Sequence, residues 1–276
     1  MTTPPDAVEA VVERLLSAPK YRHIHPTTIA DIVRHEAARS SGRVDLERRA
    51  RQRLHRAVAH YLFTARSAAL LRSLQQLPST EPAPLKRWCR SALASHFSSA
   101  ERLPDLDRFY PTVLELTGPV ELVADVACAI NPLTLPWLRE VSQARYVGYD
   151  FNAAYVELGA AFLARTHPDC SVLHRDVLLG PETVGADVAL LLKTYHSMED
   201  RRPGAGLRLV EDLAVGQVVV SFPVRAMNGR PATFARRHVA QLEALAERRG
   251  WGFRSARLPT EELVAIGKGA GGGTGG

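Results

Sequence analysis

Cysteine is scarce: Cys89, Cys128 and Cys170 are the only three in 276 residues, odd in number and far apart. That usage argues against a disulfide framework and against a thiolate zinc site, and no metal is expected. Long apolar runs are missing too. None reaches the roughly 18 residues that a membrane-spanning helix needs, which excludes an integral helical membrane protein. Residues 1–12 carry acid and proline in place of the basic and then apolar stretch of a secretory leader. A reducing cytoplasm is the expected compartment.

What is present describes a globular chain, with 46% hydrophobic and 23% charged residues, long enough for one large domain or two ordinary ones. Charge is unevenly spread. Residues 1–105 hold 17 Lys+Arg against 10 Asp+Glu, a balance of +7, whereas residues 106–276 hold 18 against 19. All the excess positive charge sits in the first two fifths of the chain, which points to a polyanionic partner there.

Two patterns divide the sequence. In the first part, Val8, Val11, Val12, Leu15 and Leu16, then Ile29, Ile32 and Val33, recur at helical spacing. From Val44 to Phe63, Leu46, Leu54, Val58 and Leu62 share one side, with Arg48, Arg49, Arg51, Arg53 and Arg56 around the other. Three prolines predict a loop over Pro78–Pro84, after which helical spacing resumes through Leu85–Phe97 and Leu106–Leu116. Beyond Gly118–Pro119, short apolar runs alternate with helix-length stretches, the pattern of parallel strands with covering helices. Gly252–Leu258 and Glu262–Ile266 lie too close for an intervening helix and predict an antiparallel edge hairpin. The expected architecture is α/β: a Rossmann-like, mostly parallel sheet over 106–267, a basic helical domain over 1–105 and a disordered Gly-rich tail over 268–276.

In an open parallel sheet, ligands bind beyond the carboxyl ends of the strands. The first strand ends at Asp125, and Ala127 and Ala129 turn toward Asn131-Pro132, where proline suits a helix start. Glycines of a dinucleotide fingerprint are absent. Asp150 closes the second strand, where a carboxylate can accept from both hydroxyls of a ribose; Asp176 follows the third, where it can accept from an adenine amine; Lys193 ends the fourth. Each alone also fits a helix cap or a surface residue. Four polar strand ends together point to an adenosine-bearing cofactor, and alanines with an aspartate at the first turn suit S-adenosylmethionine better than a pyrophosphate. The fold is therefore expected to be that of a class I S-adenosylmethionine-dependent methyltransferase.

Several strings then resemble one family, the aminoglycoside-resistance 16S rRNA (guanine-N7) methyltransferases. They are Lys20-Tyr21 with Pro26-Thr27-Thr28, Leu54-His55, His96-Phe-Ser98-Ser99-Ala-Glu101-Arg102-Leu103-Pro104, Asp107-Arg-Phe109-Tyr110, Asp125-Val-Ala-Cys128-Ala-Ile-Asn131-Pro132, Leu190-Leu-Leu-Lys193-Thr with Glu199, and Ser221-Phe222-Pro223. The resemblance implies that S-adenosyl-L-methionine is the cofactor and 16S rRNA in the 30S subunit the substrate; a monomer is expected. It implies Arg102 on the methionine carboxylate, and Asp125, Ala127, Ala129 and Asn131 along the cofactor. Asp150 would hold the ribose, with Asp176 and Val177 at the adenine. Lys193, His196 and Glu199 would lie beside the cofactor and target base. Arg48, Arg49, Arg51, Arg53, His55 and Arg56, with Arg201 and Arg230, would face RNA, and His196, Tyr195 or Phe234 would stack on the extruded base. Two segments depart from the family pattern: Gly229-Arg230 runs into Pro231-Ala-Thr233-Phe234, where Gly-Met is usual. Thr260-Glu-Glu stands where Asn-Glu is usual. A small-molecule methyltransferase and a non-catalytic RNA-binding protein remain as rival readings.

Overall fold

Val188-Ala-Leu-Leu191 and Val218-Val-Val220 are apolar at every position because their strands are covered on both faces. The computed structural model that places them describes residues 4–58, 64–180, 185–225 and 232–269. Among the described residues, seven α-helices come first: α1 Pro5–Leu16, α2 Pro26–Ala37, α3 Arg43–Val58, α4 Thr64–Gln75, α5 Pro82–Leu93, α6 Phe97–Arg102 and α7 Leu106–Thr117. Strands β1 Leu122–Val126, β2 Arg145–Asp150 and β3 Ser171–His174 follow, separated by α8 Leu135–Val141 and α9 Ala153–Thr166. Then come β4 Val188–Leu192, α10 Tyr195–Arg201, α11 Ala205–Asp212, β5 Gln217–Pro223, α12 Thr233–Arg249, β6 Gly252–Arg257 and β7 Glu261–Gly267.

The described strands form one sheet in the order β3-β2-β1-β4-β5-β7-β6. The first five are parallel, and β7 runs antiparallel between β5 and β6. The expected edge hairpin is therefore present, with its second strand on the inside. Strand order reverses between β1 and β4, so the crevice beyond their carboxyl ends is the position where this topology binds ligands.

Alternate residues of each strand serve opposite faces. Val123, Tyr146, Val172, Leu190, Val219 and Leu263 pack with α4, α5, α7, α8 and α9; Ala124, Tyr149, Leu191, Val220 and Ile266 pack with α10–α12. A third cluster, including Val11, Leu15, Ile29, Val33, Leu46 and Leu54, is built from α1–α3 and the connection carrying Tyr21 and Ile24, with Phe151 after β2 packed against it. The first 105 residues thus do not share one core. Helix α5 stacks Trp88 on Phe162 of α9, with centroids 6.0 Å apart, and Arg165 of α9 donates to the Leu74, Gln75 and Leu77 carbonyls.

Two local expectations need correction, and two short helices join the pattern. Pro82 and Pro84 lie in the first turn of α5 rather than in a loop, because the first amides of a helix have no intrahelical partner to lose. Helices α6 and α10, of six and seven residues, were not visible as periodic patterns. Lys268, assigned to the tail by composition, is anchored: its ammonium donates to the Glu211 and Leu213 carbonyls at 3.0 and 2.5 Å.

Candidate functional site

The turn after β1 is left-handed without glycine. Ala127 and Ala129 have φ of 55° and 46°, a conformation that costs an L-residue about 1–2 kcal/mol. Such a turn aims successive amides outward, and the Ala129 amide donates to Asp150 Oδ2 at 2.9 Å. Gly148 on β2 makes room for the turn, since a Cβ there would lie 2.9 Å from Cys128 Sγ.

Around this turn the carboxylates are buried. Asp125 Oδ2 accepts from Asn131 Nδ2 and from the Tyr146 hydroxyl, each at 2.6 Å, whereas Oδ1 is buried and has no partner. Burial pushes the Asp125 carboxyl up to about 6. Asp150 accepts the Asn152 amide on Oδ1 at 2.8 Å besides that of Ala129, yet burial pushes it up to about 7. Asp176 caps the turn Val177–Leu179 and is bonded to Thr28 and Arg201. Asp125, Ala127, Ala129, Asn131, Asp150, Asp176, Val177, Arg102, Lys193 and His196 all line one cavity of about 860 Å³ at the strand ends.

One wall is α6. Its Arg102 makes a two-pronged bond to Glu261 at the start of β7, Nε–Oε1 2.5 Å and Nη2–Oε2 2.9 Å, and donates through Nη1 to Asn131 Oδ1 at 3.1 Å. Burial opposes both charges, but each overrides it for the other: Arg102 is raised and Glu261 is lowered. In the sequence Glu261 stands out only as part of a departure from the family pattern. Its signal in the sequence is an acidic pair, Glu261-Glu262, opening a strand of apolar residues. Lys193, with φ 56°, reaches the same helix, donating to the Ser98 carbonyl at 3.2 Å and to Glu101 Oε2 at 3.0 Å. Burial lowers its ammonium, and burial holds His96, beside Arg102 and Lys193, down to about 4 and so neutral.

The outer wall is aromatic. The rings of His196 and Phe234 stack with centroids 4.5 Å apart and both line the cavity. His196 Nδ1 is buried without a partner. Tyr195 instead packs in the core against Phe222 and His238 and lies outside the cavity wall.

Two sequence assignments fail. Glu199 does not line the cavity: its carboxylate holds the amides of Gly204 and Gly206, each at 2.8 Å, and so ties α10 to α11. Arg201 is not an exposed RNA contact; its side chain is 8% exposed and paired to Asp176 and Asp31. The arginines of α3 divide. Arg48 and Arg49 pair with Asp45 and Arg51 with Glu47 on the surface, where such pairs are worth about 0–1 kcal/mol and are easily exchanged. Arg53 is half-buried between Glu36 and the Asp200 carbonyl and lines the cavity with the exposed His55. The Arg56 side chain and Arg230 lie outside what the structure describes.

The family profile described as ribosomal RNA methyltransferase (FmrO) matches residues 17–266. The chain belongs to that family. Among similar proteins, a 16S rRNA (guanine(1405)-N(7))-methyltransferase of Frankia casuarinae is 31% identical over 269 residues, covering 94% of this chain and 93% of its own. One of the same description from Micromonospora rosea is 27% identical, covering 97% and 99%. An rRNA methylase structure from Escherichia coli superposes with TM-score 0.74 at 25% identity, covering 95% of this chain and all of that one. No described helix in this family member is long and apolar enough to cross a membrane.

Proposed function

We propose that the protein transfers a methyl group from S-adenosyl-L-methionine to N7 of a guanine in 16S rRNA, the guanine at 1405 that its relatives' descriptions print, and so confers aminoglycoside resistance. The substrate is the assembled 30S subunit, and the enzyme acts as a monomer. The observation that carries this reading is the unpartnered Oδ1 of Asp125 in a cavity shared with Asp150, Asp176 and Arg102. A buried acceptor without a partner is costly unless a ligand supplies a donor.

The residues fit an adenosine with a charged amino-acid tail. Each oxygen of Asp150 has one amide and one lone pair to spare, enough for two hydroxyls. Arg102 is fixed in orientation by Glu261 and Asn131, and its guanidinium suits a carboxylate. When bound, the cofactor supplies an electrophilic methyl group. Guanine N7 carries a lone pair and no proton, so no side chain has to act as a base. Lys193 serves instead to hold α6, and with it Arg102, through Ser98 and Glu101. The His196–Phe234 stack offers an aromatic surface to a base removed from its helix, a step that costs a few kcal/mol.

The test incubates purified small subunits with labelled S-adenosylmethionine and maps the product by borohydride–aniline cleavage, selective for 7-methylguanine. Cleavage at a single 16S position supports the proposal. Label in small molecules without subunits, or subunit binding without label, would favour one of the rival readings.

A further inference from the structure

Three residues far apart in the sequence meet on one carboxylate. Asp176 Oδ1 accepts the Leu178 amide at 3.2 Å, while Oδ2 accepts from the Thr28 hydroxyl and from Arg201 Nη1, each at 2.6 Å. Arg201 Nη2 continues to Asp31 Oδ2 at 2.9 Å, and Asp31 Oδ1 accepts from Arg202 at 2.6 Å. Thr28 and Asp31 belong to α2, so the network joins the cavity floor to the N-terminal helices. The same seam is stitched by backbone: His25 donates to the Phe151 carbonyl at 2.8 Å and Ala153 to that of His23 at 2.7 Å, just beyond Asp150.

A carboxylate oxygen has two lone pairs. Oδ2 of Asp176 has both engaged, and Oδ1 keeps one. Asp176 therefore offers a ligand a single accepting position, with its charge already balanced by Arg201. That suits one neutral N–H, such as an exocyclic amine, where Asp150 suits two hydroxyls.

We infer that Thr28 and Arg201 are positioning residues that aim and neutralise Asp176 for the adenine amine, making the α1–α3 unit part of the cofactor site. This rests on the S-adenosylmethionine reading above. Arg201 is a guanidinium placed between two carboxylates, a geometry that a lysine reproduces only in part.

The test is calorimetry on the full chain with two probes, S-adenosylhomocysteine and S-inosylhomocysteine, whose ring carries an oxo group in place of the amine. Wild type prefers the adenosine compound. Thr28→Val and Arg201→Met should each shrink that preference by about tenfold, the size of one well-placed hydrogen bond, with Arg201→Lys in between. A merely structural role would weaken both probes alike, and that result, or an unchanged preference in folded variants, overturns the inference. Should Arg201→Met fail to fold, Asp31→Asn loosens Arg201 without touching the cavity wall, and the same ratio decides. Wild type binding neither probe would overturn the cofactor reading and the inference with it; wild type binding both equally would overturn the inference alone.

Discussion

A buried carboxylate with no cation beside it is a titration waiting to be read, and Asp150 is the clearest case. Burial pushes its carboxyl up to about 7 from the usual 3.8, so the folded protein holds a proton that the unfolded chain has released. Stability of the empty protein should therefore fall as pH rises between about 4 and 7. Affinity for S-adenosylhomocysteine should move the other way, rising through pH 7 as the carboxylate forms to accept two hydroxyls. Asp150→Asn should flatten the affinity profile in calorimetry and leave in thermal melts only the shallower fall that Asp125, raised to about 6, contributes. Glu199 makes the opposite kind of prediction. Because its carboxylate holds two amides outside the cavity, Glu199→Gln should lower the melting temperature by about 2–4 °C while methyl transfer to 30S subunits stays within about twofold.

Short elements carry much of the site. The turn after β1 needs two left-handed residues, and alanine tolerates that conformation where a β-branched side chain does not. Ala129→Val should cost about 1–2 kcal/mol beyond the strain already present and weaken S-adenosylhomocysteine binding at least tenfold, while Ala129→Gly keeps binding. The sequence had no glycine to mark this turn, so the motif was legible only as a weak one. Helix α6 was illegible for another reason. A six-residue helix has too few turns for a period, and its position is set by Lys193 and Glu261, which lie 92 and 159 residues downstream of their partners. The acidic strand ends were legible, because the carboxyl end of a parallel strand is where such residues have work to do.

At the scale of the whole molecule, the N-terminal helices face two ways. Arg48 and Arg49 sit on the solvent side of α3, ion-paired to Asp45, and can exchange it for phosphates. Arg48→Glu with Arg49→Glu should weaken small-subunit binding and reduce the slope of log affinity against log salt by about 2, leaving S-adenosylhomocysteine affinity unchanged. Arg53 is unsuited to that experiment, since it also fastens α3 to α10 at the cavity. If Thr28 and Arg201 tie α2 to the adenine end, cofactor and subunit binding are reciprocally linked. Saturating S-adenosylhomocysteine should then tighten subunit binding in wild type and not in Thr28→Val.

Reading along the chain suffices for the alternation of strands and helices, the edge hairpin, the carboxylates at the strand ends and the basic first two fifths. Those features are local: period, burial and charge are written in neighbouring residues. Tertiary structure alone decided which polar groups are still free to meet a ligand. Along the chain Glu199 and Arg201 look like the other polar site residues, but Glu199 is turned away from the cavity onto the Gly204 and Gly206 amides, and Arg201 is held between Asp31 and Asp176. Asp125 keeps one oxygen unpartnered. Whether a donor or acceptor is spent depends on what long-range packing brings within 3 Å, and spacing along the chain carries no record of that.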